Sequence, residues 1–167
     1  MNSNEYKQYI EIIMITKLEN SFLYFCQTDE GKNYFDNSLI YLCKNDSDGS
    51  FGLIINKKIS INLKDFSLDS DTELEDFLNN ERVYLGGPVS PFTPFVLHTL
   101  EKKFDDTHEV TPSIGLSSKA DVIQTILQKK YPKKFIVSFG YTGWSPGQLE
   151  KETVSYTHLT LPTINWV

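Results

Sequence analysis

The chain has 167 residues, 40% of them hydrophobic and 23% charged, enough apolar material to close one domain of ordinary size without disulfides or a structural metal. Its net charge of −6 and pI near 5.0 repel a phosphate backbone at long range, which sets nucleic acid aside as a partner unless a basic patch is concentrated somewhere. Cys26 and Cys43 share no CxxC spacing and lie in apolar runs, the pattern of buried free thiols in a reducing compartment rather than of a disulfide framework.

Near the start, the apolar run at residues 10–15 is short and carries Glu11. It reads as neither a signal peptide nor a membrane span, so a cytoplasmic setting without membrane contact is expected. Met14 is a second candidate start. Residues 22–26, 39–43 and 51–55 are apolar runs of strand length, and Asp48-Gly49 between the last two predicts a hairpin. Apolar residues at consecutive positions predict cover on both faces, which places this hairpin at the centre of the sheet. Over residues 65–81, Leu74, Phe77 and Leu78 recur at helical spacing among Asp69, Asp71, Glu73, Glu75 and Asp76, the pattern of a surface helix with an acidic outer face.

Residues 83–85 lead into a Pro/Gly loop at 86–91, and residues 95–98 return as a strand. Shorter strands are expected at 108–111 and 114–116. Ser118 can cap the next helix with Asp121 three residues on; Val122, Ile123, Ile126 and Leu127 share one face, and Pro132 stops it. Residues 135–139 form another buried strand, feeding a glycine-rich turn at 140–143. Ser145 as N-cap, Pro146 at the first helical position and Gln148 reaching back open a last helix. Strands interspersed with few helices predict an α+β domain.

From Val154 to Val167 there is no Asp, Glu, Lys or Arg. The run resembles the translation of a library-preparation adapter, so residues 154–167 are expected to be non-native and residues 1–153 to be one domain. His158 and Trp166 are kept out of any site for that reason.

The most suggestive geometry is the strand at 135–139 running into Gly140 to Gly143 and a capped helix, where free N–H groups can hold an anion. No Lys-Ser/Thr follows Gly147 and the dinucleotide spacing is missing, so a tight turn with Tyr141 and Trp144 packed beneath it is the plainer reading. Gly86-Gly87-Pro88 poses the same choice. Asn56 and Asp36 flank buried strands and gain interest only if they approach that turn. His98 closes a strand, and with His108 it forms no metal-binding spacing. A Ser38, His98 and Asp36 hydrolytic set can be written down, but Ser38 lies outside a GxSxG elbow. Lys129, Lys130, Lys133 and Lys134 form a basic cluster that reads as helix-end and solubility charge before it reads as a nucleic-acid patch.

Four segments taken together are highly specific: DNSLIYLC from Asp36, GLIIN from Gly52, YLGGPV from Tyr84 with FVLH from Phe95, and GYTGWSPGQLE from Gly140. In this order they resemble the YqgE/AlgH family of bacterial proteins over about residues 18–152. The resemblance implies a single α+β domain whose bifurcated sheet is partly rolled toward a pseudo-barrel, with about three to four helices. It implies a cytosolic setting and little about activity, with a regulatory role attached to some members. The combined expectation is a non-enzymatic domain that binds a protein or small-molecule partner, with no cofactor, no metal and no catalytic residues. Its ligand set is Asn56, Gly86, Gly87, Pro88, His98, Gly140, Gly143 and Trp144. The alternative is an enzyme or sensor acting on a small anionic ligand at the glycine-rich turns.

Overall fold

The structure, a computed structural model, describes residues 18, 20–25, 33–66, 81–128 and 132–155. In chain order it holds β1 (Phe22–Phe25), β2 (Ser38–Asp46), β3 (Gly49–Ile54), β4 (Lys58–Asn62), a 3-10 turn (Leu63–Phe66), β5 (Arg82–Leu85), β6 (Val89–Thr99), β7 (His108–Thr111), β8 (Ile114–Ser117), α1 (Ala120–Leu127), β9 (Phe135–Trp144) and α2 (Gln148–Ser155). This is a mostly antiparallel sheet with few helices, an α+β arrangement in which β5 and β9 form a parallel pair. Two α-helices lie among the described residues. The predicted acidic helix falls largely on residues 67–80, outside the described residues, as do Met14, Cys26, Lys129, Lys130 and residues 156–167. No described helix is long and apolar enough to cross a membrane.

The described residues fall into two compact units, one running to Gly52 and resuming at Gly143, the other Leu53–Thr142. In the first, β1 pairs antiparallel with β2 and sets Phe22 opposite Tyr41, their rings 5.0 Å apart. The β2–β3 hairpin forms where Asp48-Gly49 predicts it, with Gly49 at φ +122°. Ile40, Leu42 and Cys43 are fully buried, as consecutive apolar positions require. Leu149 anchors α2 from its buried side, and the Asn45 amide donates to Glu150 Oε1 at 3.1 Å. The helix start departs from the pattern. Gln148 Oε1 does accept the Ser145 N–H at 3.0 Å, but Gly147 at φ +71° lies outside helical geometry, so α2 begins at Gln148 instead of Pro146.

In the second unit β9 has partners on both edges. Val137 to Phe139 register with Val83 to Leu85 of β5 on one side, and with Val96 to Pro94 of β6 on the other. β6 in turn pairs with β8, and β8 with β7. The strand that organises this unit is therefore β9, not the β2–β3 hairpin that the apolar runs place at the centre; a hairpin is a local signal, whereas these pairings join residues far apart in sequence. β4 goes unpredicted, although Lys58-Ile59-Ser60-Ile61-Asn62 alternates polar and apolar residues as a half-buried strand does.

Val122, Ile123, Ile126 and Leu127 of α1 are buried with Leu63, Val83, Val96, Phe104 and Val137 in one core cluster. Each such side chain stabilises by about 1.5–3 kcal/mol on burial. Ser118 does not cap the helix. Its N–H and that of Lys119 donate to Asp106 Oδ2 at 2.7 and 2.8 Å, so a carboxylate from the β6–β7 loop takes the place of the predicted local cap. Partial burial pushes the Asp106 carboxyl up, but the donors from Ser118 and Lys119 outweigh it and hold the group below the usual aspartate value.

Candidate functional site

Gly86, Gly87 and Gly140 meet at the C-terminal end of β5. Gly86 N–H donates to the Phe139 carbonyl at 2.8 Å, and its own carbonyl accepts from Ile54 N–H at 2.8 Å. A Cβ on Gly86 would collide with the Gly140 carbonyl; one on Gly140 would collide with the Gly87 carbonyl, and one on Gly87 with the Tyr141 backbone. Backbone thus packs directly on backbone, and Gly140 additionally sits at φ +72°. Only glycine permits both. Asn56 is exposed in the bend between Ile54 and Lys57, whose carbonyl accepts from Leu85 N–H at 2.7 Å, so the fold does bring it beside Gly86.

Gly140 to Gly143 is not a turn. β9 continues through these residues to Trp144, with Tyr141 opposite Val89 of β6. The predicted anion cradle needs free N–H groups at a chain reversal; here the strand ladder runs on and the Gly86 amide is already spent.

What does leave the ladder is β6. After Val89 opposite Tyr141 the next registered pair is Pro94 opposite Phe139, so Ser90, Pro91, Phe92 and Thr93 face Gly140 alone. These residues form an enlarged bulge. Ser90 takes φ +47°, Pro88 through Thr93 are exposed, and Phe92 stands 91% exposed at the protrusion. An isolated surface apolar residue is ordinary; an aromatic ring almost wholly in water on a braced bulge is not. The sequence alone predicts a loop ending at residue 91 and a strand from residue 95. The signal for the missed bulge was the proline on either side of Phe92-Thr93, since proline interrupts a ladder.

His98 lies apart from the glycine lock. It is opposite Phe135, five residues before Gly140 on β9, or about 16 Å along the strand. The ring is 2% exposed. Nδ1 is 3.0 Å from the Thr99 carbonyl, an acceptor only, so Nδ1 carries the proton; Nε2 then accepts from the Ser117 hydroxyl at 3.0 Å. Ser117 Oγ and Thr107 Oγ1 are 3.0 Å apart, and Thr107 accepts the Phe104 N–H at 2.7 Å. The chain Phe104 N–H, Thr107, Ser117, His98, Thr99 carbonyl satisfies every member in one direction. With both nitrogens engaged, His98 is not assembled with Ser38 and Asp36. Asp36 Oδ2 accepts the Asn33 N–H at 2.8 Å in a local turn, and Ser38 is fully buried.

Gly143 and Trp144 belong to the first unit. The Trp144 indole N–H donates to Glu152 Oε2 at 3.0 Å, fixing α2 against the end of β9, and the ring is 9% exposed. Burial pushes the Cys43 thiol up to about 12, the condition of an unreactive core cysteine. No group of three or more metal-ligating side chains occurs among the described residues. Lys133 and Lys134 are exposed.

The AlgH-like family profile matches residues 24–165. A UPF0301 protein of Shewanella sp. (strain W3-18-1) is 35% identical over 152 residues, covering 89% of this chain and 81% of its own. Another, from Thiobacillus denitrificans, is 39% identical over 118 residues, 71% of this chain and 64% of its own. The solution structure of AlgH from Pseudomonas aeruginosa superposes with a TM-score of 0.66 at 29% identity, covering 82% of this chain and 72% of that one. A crystal structure from Corynebacterium diphtheriae, at 14% identity and a TM-score of 0.60 over 81% and 70% of the two chains, shares the fold. With a profile match across most of its length and relatives above one-third identity, the chain belongs to the AlgH-like family, the YqgE/AlgH group that its four motifs resemble.

Proposed function

We propose that this chain is a non-enzymatic, cytoplasmic binding domain whose partner docks on the β6 bulge, with a regulatory use of that contact. The observation that carries the reading is Phe92, 91% exposed on a bulge whose base is held by backbone-to-backbone packing at Gly86, Gly87 and Gly140. Asn56, Gly86, Gly87, Pro88 and Gly140 supply the platform of this reading; His98 lies further along β6 and takes no part in it, and Gly143 and Trp144 belong to the first unit. A braced backbone lowers the ordering cost of binding through the bulge, which suits an interface anchor. The anionic-ligand alternative lacks such support, because the Gly86 amide is bonded to Phe139. The rolled, bifurcated sheet and its third or fourth helix remain part of the proposal.

Site-specific photo-crosslinking inside cells tests it. With a benzoyl-phenylalanine at position 92, irradiation is expected to give adducts of discrete mass, and the same group at Gln124, an exposed α1 position, to give none of them. No adduct from position 92 would refute the reading. We also propose that residues 154–167 are translated adapter. The family match reaches residue 165, so reads from the unamplified locus decide: finding these codons there removes the proposal.

A further inference from the structure

We infer that the partner taken at the β6 bulge is an acidic protein segment, whose carboxylates meet Lys57 and Lys58 while one of its apolar side chains covers Phe92. The inference rests on the binding reading above and names the chemistry of the occupant. The distribution of charge over four paired strands selects it.

The pairings place the pieces. Lys58 of β4 stands opposite Tyr84 of β5, Tyr84 opposite Ser138 of β9, and Ser138 opposite Phe95 of β6. One row therefore crosses the four strands, about 14 Å from Lys58 to Phe95 at the usual strand spacing. The bulge, Ser90 to Thr93, lies beyond this row toward Gly140. Lys57 lies at the same end, because its carbonyl accepts from Leu85 N–H at 2.7 Å. Lys58 is exposed and Lys57 half-buried.

The carboxylates belong to the opposite end. Asp65 Oδ2 accepts the Asn62 N–H at 2.9 Å at the far end of β4, the Glu81 carbonyl accepts the Leu63 N–H at 3.4 Å, and Glu101 follows the end of β6 at Thr99. Residues 53–60, 83–100 and 135–149 contain no Asp, Glu or Arg, and Lys57 and Lys58 are their only lysines. Among the described residues of β4, β5, β9 and β6, the bulge end thus carries two positive charges and no negative one, on a chain whose net charge is −6.

That contrast decides what docks there. Screening confines each charge to about 8 Å at physiological ionic strength, so a carboxylate-rich segment is attracted at this end and repelled over most of the remaining surface. A basic segment meets the reverse pattern and is drawn away from the bulge. Phe92, 91% exposed, gains from contact only when an apolar group takes it out of water, so the segment carries such a group among its acids. Single-stranded nucleic acid is set aside because it needs a positively charged groove along its backbone, and two lysines on the far side of β5 and β9 from the bulge do not make one.

Cross-linking from position 92 of the full chain inside cells, with the captured peptide sequenced by mass spectrometry, tests the inference. The expected peptide has more Asp and Glu than Lys and Arg around the captured residue. Lys58→Glu is expected to lower the adduct yield about tenfold or more, with the thermal midpoint unchanged because Lys58 is exposed, and Lys58→Gln to lower it by a smaller factor. A basic or neutral captured peptide, or a yield indifferent to Lys58→Glu, overturns the inference and leaves the binding reading standing; no adduct overturns both. Phe92-dependent binding of the purified chain to an oligothymidylate, or to phosphatidylcholine–phosphatidylglycerol vesicles, also overturns the acidic protein segment.

Discussion

At the scale of single residues, two buried serines make opposite predictions from the same chemistry. Ser117 is the middle of the chain that ends on His98, so Ser117→Ala strands both His98 Nε2 and the Thr107 hydroxyl. A loss of about 1–3 kcal/mol is expected from urea unfolding. Ser38 Oγ is buried with no hydrogen-bond partner among the described residues, so Ser38→Ala removes an unsatisfied group and is neutral or stabilising in the same assay. Equal losses would mean that the wrong hydroxyl has been identified as structural. Asp106 gives a pH prediction. Its folded-state value is lowered, so the unfolded chain binds the proton more tightly. The stabilisation is therefore present above the ordinary aspartate value and is lost as pH falls through the folded one. Asp106→Ala should cost about 1 kcal/mol at neutral pH, the usual loss for a missing helix cap, and should flatten the acid limb of the stability curve. An unchanged acid limb would show that the carboxylate does not carry it. Neither Asp106 nor Ser117 stood out in the sequence, because both act on residues beyond the reach of a local pattern.

At the scale of elements, glycine substitutions separate local strain from collision. Gly147 has positive φ and no atoms within 4 Å of the position of an added Cβ, so Gly147→Ala costs roughly 1–2 kcal/mol of backbone strain alone. Gly140 has the same φ sign plus the Gly87 carbonyl in the way, so Gly140→Ala should cost at least about 3 kcal/mol, strain and overpacking together. Chemical denaturation of the two variants side by side checks the order, and a smaller loss at Gly140 would show that the lock yields easily. The strands were legible wherever their signal was local: β1, β2, β3, β5, β7 and β8 lie where apolar runs and turn residues put them, and α1 buries the four residues that share its predicted face. The sequence alone ends β9 before Gly140, because two glycines look like a turn. Only the neighbouring strand reveals that they let backbone approach backbone. The bulge in β6 escaped notice for the converse reason, since its prolines sit inside what is still a paired strand.

On the scale of the whole molecule, the family and the α+β class could be read from four short motifs, while the architecture they serve could not. Asn56 comes together with Gly86, Gly87 and Gly140, the approach on which its interest depends; His98 does not join them, because five residues of extended strand intervene. Which strands are neighbours depends on pairings such as Val83 with Val137, whose partners are separated by much of the chain and leave no local trace. The same nonlocality shapes how the protein is made. One unit is a single uninterrupted stretch, Leu53–Thr142, whereas the other is written in two pieces on either side of it. A chain leaving the ribosome from its N-terminus delivers the uninterrupted unit whole while its companion still lacks the last of β9 and all of α2. Translation therefore delivers the uninterrupted unit first, while the unit that holds β1, β2 and the start of β3 is completed only when α2 has emerged.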